Sequence, residues 1–431
     1  MKRNRLCVLA YLLCAAMILG AVSMPATARA DTPVVEYVDY DITADTTWPL
    51  GDYYICKVGN RDPRITNGAT LTIESGAKVY FSTQTSAQLP NTEHNPKNPY
   101  SSLTVTNGTL SATGVMFTTV PDVTGTTWRD AGWNGIQAVG LPAGATSLSF
   151  TDCTFEYSGF TDAGTLYGVQ TNGVDSKVDI FVAGCTFINP KAGTTAIRYN
   201  NGHNTIGSGT VSVSNSSFTG YGRGVQVEQN GDDAVNTSVS GCTFSNISIR
   251  PLEINGGRQA SVTGCTFNDF VAGQHNGAVL IFDTDSATSQ IQTATLTGNT
   301  FNYGDAATIY PVLIGAGCKI NENIEAADNT FEANYPAAYR YISLTRSVGY
   351  LDRHRSAVWG YAGIPYLLTG EVTITATDET NQSSLAIKPG VTVCLGDGSG
   401  SDNLMVRGTL RAEGTADKLI TFTKKTGMEY G

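Results

Sequence analysis

Charge is scarce in this chain. Charged residues make up 15% of its 431 positions, and the basic ones are outnumbered, 27 against 37. A nucleic-acid partner calls for a basic face, so that class is set aside. No two cysteines stand in a CxxC spacing and no Cys/His cluster occurs, which removes the usual zinc frameworks. No GxSxG elbow offers a nucleophilic serine. No segment carries a helical apolar period, and no apolar run after residue 22 is long enough to span a membrane.

The first thirty residues are a different matter. Lys2, Arg3 and Arg5 precede an apolar run from Leu6 to Val22, and Ala28-Arg29-Ala30 stands just before Asp31. A basic start, an apolar stretch and an A-x-A site make a secretory signal peptide, residues 1–30, cut after Ala30. The protein is therefore expected to be secreted or displayed at the cell surface, with no membrane span after cleavage. Removing residues 1–30 takes away four basic and no acidic residues, so the net charge moves from −10 to −14.

What the chain does have is a recurring motif. TDCTF ends at Phe155, AGCTF at Phe187, SNSSF at Phe218, SGCTF at Phe244, TGCTF at Phe267, TGNTF at Phe301 and ADNTF at Phe331; a looser copy, TGVMF, ends at Phe117. Successive Phe residues lie between 23 and 38 positions apart. A period of that size belongs to stacked repeats. The motif is constant while its spacing varies, so each unit is one coil of fixed cross-section with loops of variable length.

The strand before each motif alternates, with Leu148/Phe150, Ile180/Val182, Val211/Val213, Thr237/Val239 and Ala260/Val262 on one face. A second strand follows each Phe. Its expected inward residues are Val169, Ile197/Tyr199, Val225/Val227, Leu252/Ile254, Val279/Ile281 and Val312/Ile314. Three strands per turn predict a parallel β-helix. Equivalent residues then stack about 4.8 Å apart. The Phe residues form one inward column, and Cys153, Cys185, Ser216, Cys242, Cys265, Asn299 and Asn329 form another. Disulfides are an option in an exported protein. Yet in-register neighbours point their Cβ atoms the same way, and Cys exchanges with Ser and Asn along the column, so buried free thiols are expected.

Two stretches repeat on a larger scale. TLTIESGAKVYF (70–81) matches SLAIKPGVTVCL (384–395), and 103–119 matches 404–423. The expected organisation is a lead-in or cap over 31–69, a β-helix over 70–344, a linker or cap over 345–360 and an incomplete second β-helix module over 361–431. An opening unit with nothing stacked on it suggests the front of a longer protein.

The opening unit, followed by coils ending in Gly-Cys/Asn-Thr-Phe, resembles exported bacterial and archaeal proteins with right-handed parallel β-helix repeats. These belong to the pectate-lyase-like fold superfamily, here of the non-catalytic surface type. The resemblance covers about residues 45–344 and 361–431. It implies an all-β, right-handed, single-stranded parallel β-helix (solenoid) with the start of a second module at the C-terminus. It implies little about activity, because the fold carries pectate lyases, polygalacturonases and inert rods alike.

The catalytic residues of those relatives find few counterparts. Asp232 and Asp233 resemble the carboxylates of polygalacturonase-like hydrolases, in which paired acids cleave a glycosidic bond. The Asn-Thr-Asp element before them is absent, however, Gly256-Gly257-Arg258 stands where Gly-His-Gly is expected, and no Arg-Ile-Lys follows. Asp283 and Asp285 are weak candidates for Ca²⁺; no other cofactor is expected. A more extended feature is the outward side of the second strand, where Arg198, Arg223 and Arg250 are read as a basic stripe. With Tyr167, Tyr221 and Glu253 they form the candidate binding face, suited to an acidic polysaccharide or cell-wall glycan through ion pairs and ring stacking. The competing expectation is an ordinary solvated face in which Glu228 and Glu253 pair with the arginines. The expected function is an exported, non-catalytic β-helix module of a larger surface or extracellular protein, a rod with glycan binding. The alternative is a polysaccharide lyase or glycoside hydrolase on the same fold.

Overall fold

In the computed structural model the chain is an all-β, right-handed parallel β-helix. The structure describes residues 34–431 except 57, 59–60, 82–100, 121–132, 142–143, 160–163, 171–175, 202–206, 230–233, 258, 269–277, 283–292, 303–309, 322–328, 346–347, 349–355, 379, 397–402 and 426–431. The expected signal peptide lies outside that set. From Val35 onward the described residues form one compact unit. Its only helical element among them is the three-residue 3-10 turn Ala337–Tyr339, and no described helix is long and apolar enough to cross a membrane.

Three long sheets build the solenoid. An 11-stranded face runs from Val34–Val38 to Thr330–Phe331 and carries the motif strands. One 13-stranded face begins at Thr46–Trp48 and ends at Thr409–Ala412; the other begins at Arg64–Ile65 and ends at Thr421–Lys424. Strands of successive coils pair in parallel, as Thr154–Glu156 does with Thr186–Ile188, Ser176–Ala183 with Gly207–Ser214 and Thr195–Asn201 with Arg223–Gln229, the pattern that crossover connections give. At about 4.8 Å per rung, thirteen strands span roughly 58 Å.

The motif decides the inner columns. Phe117, Phe155, Phe187, Phe218, Phe244, Phe267, Phe301 and Phe331 pair in register, and their rings stack 4.6–5.5 Å apart at 7–16°. All but the last are buried. The residue before the Cys/Asn position makes the corner. Asp152, Gly184, Asn215, Gly241, Gly264 and Gly298 take φ between 49° and 65° there. Left-handed backbone favours Gly, Asn and Asp, which accounts for the second letter of the motif.

The next residue has a bonding role. Its side chain accepts the backbone N–H of the equivalent residue on the preceding coil. Cys185 Sγ takes Cys153 N at 3.4 Å, Ser216 Oγ takes Cys185 N at 3.0 Å, Asn299 Oδ1 takes Cys265 N at 3.0 Å and Asn329 Oδ1 takes Asn299 N at 3.1 Å. A corner N–H has no ladder partner, and burial makes an orphan costly. Any small acceptor serves, so Cys, Ser and Asn interchange. All seven cysteines from Cys56 onward are buried and free, as expected.

Three expectations are corrected. Leu166 and Gly168, not Val169, pair with the buried Ile197 and Tyr199. Further along the same sheet, the register aligns Leu280 and Phe282 with Leu252 and Ile254, so the expected Val279/Ile281 pair is out of step by one residue. Residues 345–360, read as a linker or cap, contain the strand Ser356–Trp359, which lies in register between Lys319–Ile320 and Ser384–Ile387. Two faces of the solenoid therefore run through the expected boundary.

The third face changes there. After Phe331 the motif face ends, and Val348 pairs with Ile374, whose strand Val372–Ile374 pairs with Leu404–Val406 to begin another face. The coil from Lys319 to Trp359 thus carries four strand positions instead of three.

Candidate functional site

The expected binding face lies on the outside of the 13-stranded sheet that begins at Arg64–Ile65. Its central strands are Leu166–Gln170, Thr195–Asn201, Arg223–Gln229 and Arg250–Asn255. In three of these, four buried residues stand in succession at 194–197, 224–227 and 251–254, with the apolar or small pairs Ala196/Ile197, Gly224/Val225 and Pro251/Leu252 among them. That interrupts the two-residue alternation, so positions three apart both face outward. Arg223 with Gln226, and Arg250 with Glu253, are such pairs.

Register then corrects the stripe. Thr195, Arg223 and Arg250 form one outward column, whereas Arg198 pairs with Tyr167 on one side and Gln226 on the other. The three arginines zigzag over two columns. Arg223 and Arg250 are direct neighbours; Arg198 stands one column over, with its guanidinium 5.9 Å from the centre of the half-buried Tyr167 ring.

Two carboxylates thread this face. Glu228 Oε2 takes Arg198 Nη2 at 2.8 Å and Asn200 Nδ2 at 3.4 Å, and its Oε1 takes Gln226 Nε2 at 2.9 Å. Glu253 is more enclosed, with its side chain 9% exposed. Its Oε1 accepts Arg250 Nη1 at 2.6 Å and Asn255 Nδ2 at 3.0 Å, and its Oε2 accepts Gln226 Nε2 at 3.4 Å. Arg223 approaches the same Oε2 only to 3.6 Å, too long for a hydrogen bond. The Nε of Arg223 and the Nε of Arg250 are buried without a hydrogen-bond partner. Three guanidinium groups thus share two carboxylates, and Arg223 keeps unused donors in a chain that is acidic as a whole.

Tyr221 does not belong to this face. It is fully enclosed, its hydroxyl 2.9 Å from Ser158 Oγ, and Ser158 in turn bonds Thr165. Burial pushes its phenol up to about 12. The bulky ring packs edge-on against Phe187, so its place is the core and not a sugar platform. Trp133 is likewise inside, stacked 4.1 Å from Phe81. Asp232, Asp233, Asp283 and Asp285 lie outside the described residues, as do His203, His275 and His354. Among the described residues no group of three or more His, Cys, Asp and Glu side chains is placed to hold a metal ion.

One cluster escaped sequence reasoning altogether. Tyr310, Tyr339 and Tyr341 surround the ammonium of Lys425 further along the same face. Its members are up to 115 residues apart, and no motif links them.

No family model, curated protein or solved structure matches this chain.

Proposed function

We propose that this chain is an exported, non-catalytic β-helix of the pectate-lyase-like kind. In this reading it is a structural rod at the cell surface or in the extracellular matrix, and it docks an acidic polysaccharide on its Arg–Glu face. The reading needs no cofactor. One observation carries it: Arg223 and Arg250 are neighbours on adjacent rungs, and Arg223 retains hydrogen-bonding capacity that Glu253 does not use. A uronate carboxylate or a sulfate ester would complete that arrangement as a charge-assisted acceptor. Tyr167, in the neighbouring column beside Arg198, offers a ring edge for a sugar.

The test is affinity electrophoresis of the full chain through polygalacturonate and through a sulfated glycan. The wild-type protein should be retarded at low salt and released as salt rises. Arg223→Ala should remove most of the retardation without loss of fold, since that side chain makes no hydrogen bond to the described residues. Migration indifferent to both glycans at low salt would rule the docking role out and leave the rod alone.

A further inference from the structure

Lys425 is 8% exposed, just past the strand Thr421–Lys424. Its Nζ lies 5.4 Å from the ring centre of Tyr310, 5.7 Å from that of Tyr339 and 6.0 Å from that of Tyr341. Tyr310 and Tyr339 meet edge to face with centroids 5.8 Å apart. A cation within about 6 Å of a ring face is drawn to its negative quadrupole. Three rings around one nitrogen make a cage, and no carboxylate among the described residues pairs with Lys425. Tyr341 is buried on the outer side of the sheet beside Leu367 and Cys394, which gives the cage an apolar floor.

The occupant fits the cage incompletely. A primary ammonium carries three N–H donors, and among the described residues that of Lys425 makes one hydrogen bond, to Tyr310 Oη at 3.1 Å. The ring faces offer charge attraction but few acceptor atoms. A methylated ammonium reverses that balance. It keeps the positive charge, has few or no N–H groups to satisfy, and presents methyl groups to the rings and the apolar floor.

We propose that Tyr310, Tyr339 and Tyr341 form a binding site for a methylated ammonium group, with Lys425 as an occupant supplied by the chain itself. The site is separate from the Arg–Glu face and does not depend on the glycan reading. Lys425 is tethered, so it competes at a high effective concentration and holds the affinity of the intact protein low. Displacing it frees the site.

The experiment is a titration of the full chain with tetramethylammonium chloride, followed by tyrosine fluorescence and tyrosine ring NMR signals, with ammonium chloride as the salt control. The intact protein should show a weak saturable response to the methylated ion and none to ammonium. Lys425→Met should bind about tenfold more tightly or better, because the tethered competitor is gone. Adding Tyr341→Ala to that variant should abolish binding, whereas adding Tyr310→Phe should retain it, since the ring face and not the hydroxyl makes the site. Circular dichroism checks that each variant keeps its β structure. Choline and a trimethyllysine amide, titrated alongside, separate a small metabolite from a modified side chain as the source of the group, and binding of either supports the site. The proposal is overturned by the absence of a saturable response in folded Lys425→Met. Equal responses to ammonium and tetramethylammonium, or binding that survives Tyr341→Ala, would overturn it too. If Lys425→Met does not fold, the intact protein decides: no response at any attainable concentration of tetramethylammonium ends the proposal.

Discussion

Asn329 Oδ1 accepts both the backbone N–H of Asn299, at 3.1 Å, and its side-chain N–H, at 3.0 Å. The two residues are 30 positions apart in sequence and one rung apart in space. Asn299 repeats the gesture towards Cys265 N and also donates to Val262 O at 2.9 Å. The solenoid is thus tied along its axis by side chains as well as by ladder hydrogen bonds.

That relationship predicts the cost of breaking it. Asn299→Ala leaves the N–H of Cys265 and the carbonyl of Val262 buried and short of a partner, so it should destabilise the protein by about 2–4 kcal/mol. Asn299→Cys should cost clearly less, because Cys185 already acts as an acceptor at the equivalent position. Chemical denaturation of the two variants measures the difference, and equal losses would show that the acceptor role is unimportant.

The Phe column makes a second, position-dependent prediction. Phe218 has ring neighbours at 4.8 and 4.9 Å on both sides, and it is fully buried. Phe218→Ala should cost about 3–5 kcal/mol, as large core truncations do. Phe331 ends the stack and is only partly buried, so the same change there should cost noticeably less. Thermal denaturation of both variants under one protocol tests the ranking.

The thiols should be inert while the protein is folded. Burial, with the nearby Asp39 adding to it, pushes the Cys56 thiol up to about 12. Its hydrogen bond to Cys185 and its own burial both push Cys153 upward. Cys185 and Cys265 are pushed the other way by the hydrogen bonds from Cys153 and Cys242, so inertness there rests on burial, which keeps every one of these thiols from a reagent. Thiol labelling should therefore be negligible until denaturant is added, after which all seven should react. Prompt labelling of the native protein, or bridges between Cys153 and Cys185 in mass spectra, would contradict the buried free-thiol column.

Alkali should unfold the protein cooperatively. Burial pushes Tyr53, Tyr80 and Tyr221 up to about 12 from an ordinary 10.0, with nearby acidic groups adding to the shift for the first two. A folded pKa above the unfolded one favours the neutral phenol in the fold. The stabilisation is therefore fully present below pH 10 and is lost as the pH rises towards 12. Tyrosinate absorbance should lag at first and then rise together with the loss of β-sheet ellipticity. Tyr221→Phe should make the decline of stability with pH shallower over that window.

Much of this was legible in the sequence because a solenoid is built from nearest-neighbour contacts. Each coil meets only the coils beside it, so a motif repeated at intervals of about thirty residues fixes which side chains stack. Phe155, Phe187 and Phe218, and the Cys/Ser/Asn column beside them, could be aligned from the letters alone. The left-handed corner was also written in the motif, as the Gly, Asn or Asp that precedes that column.

Tertiary structure decided the outer face. Whether Arg198 lines up with Arg223 or with Gln226 depends on ladder hydrogen bonds across rungs, and runs of consecutive buried residues interrupt the alternation from which faces are inferred. Tyr221 reads from the letters as a surface ring, yet the hydroxyls of Ser158 and Thr165 give its polar end a partner inside the core. The extra strand position between Lys319 and Trp359, and the tyrosine cage that Lys425 enters, depend on how distant segments meet. No local pattern encodes such meetings, because they are set by loop lengths and rung register, and not by the residues that finally touch.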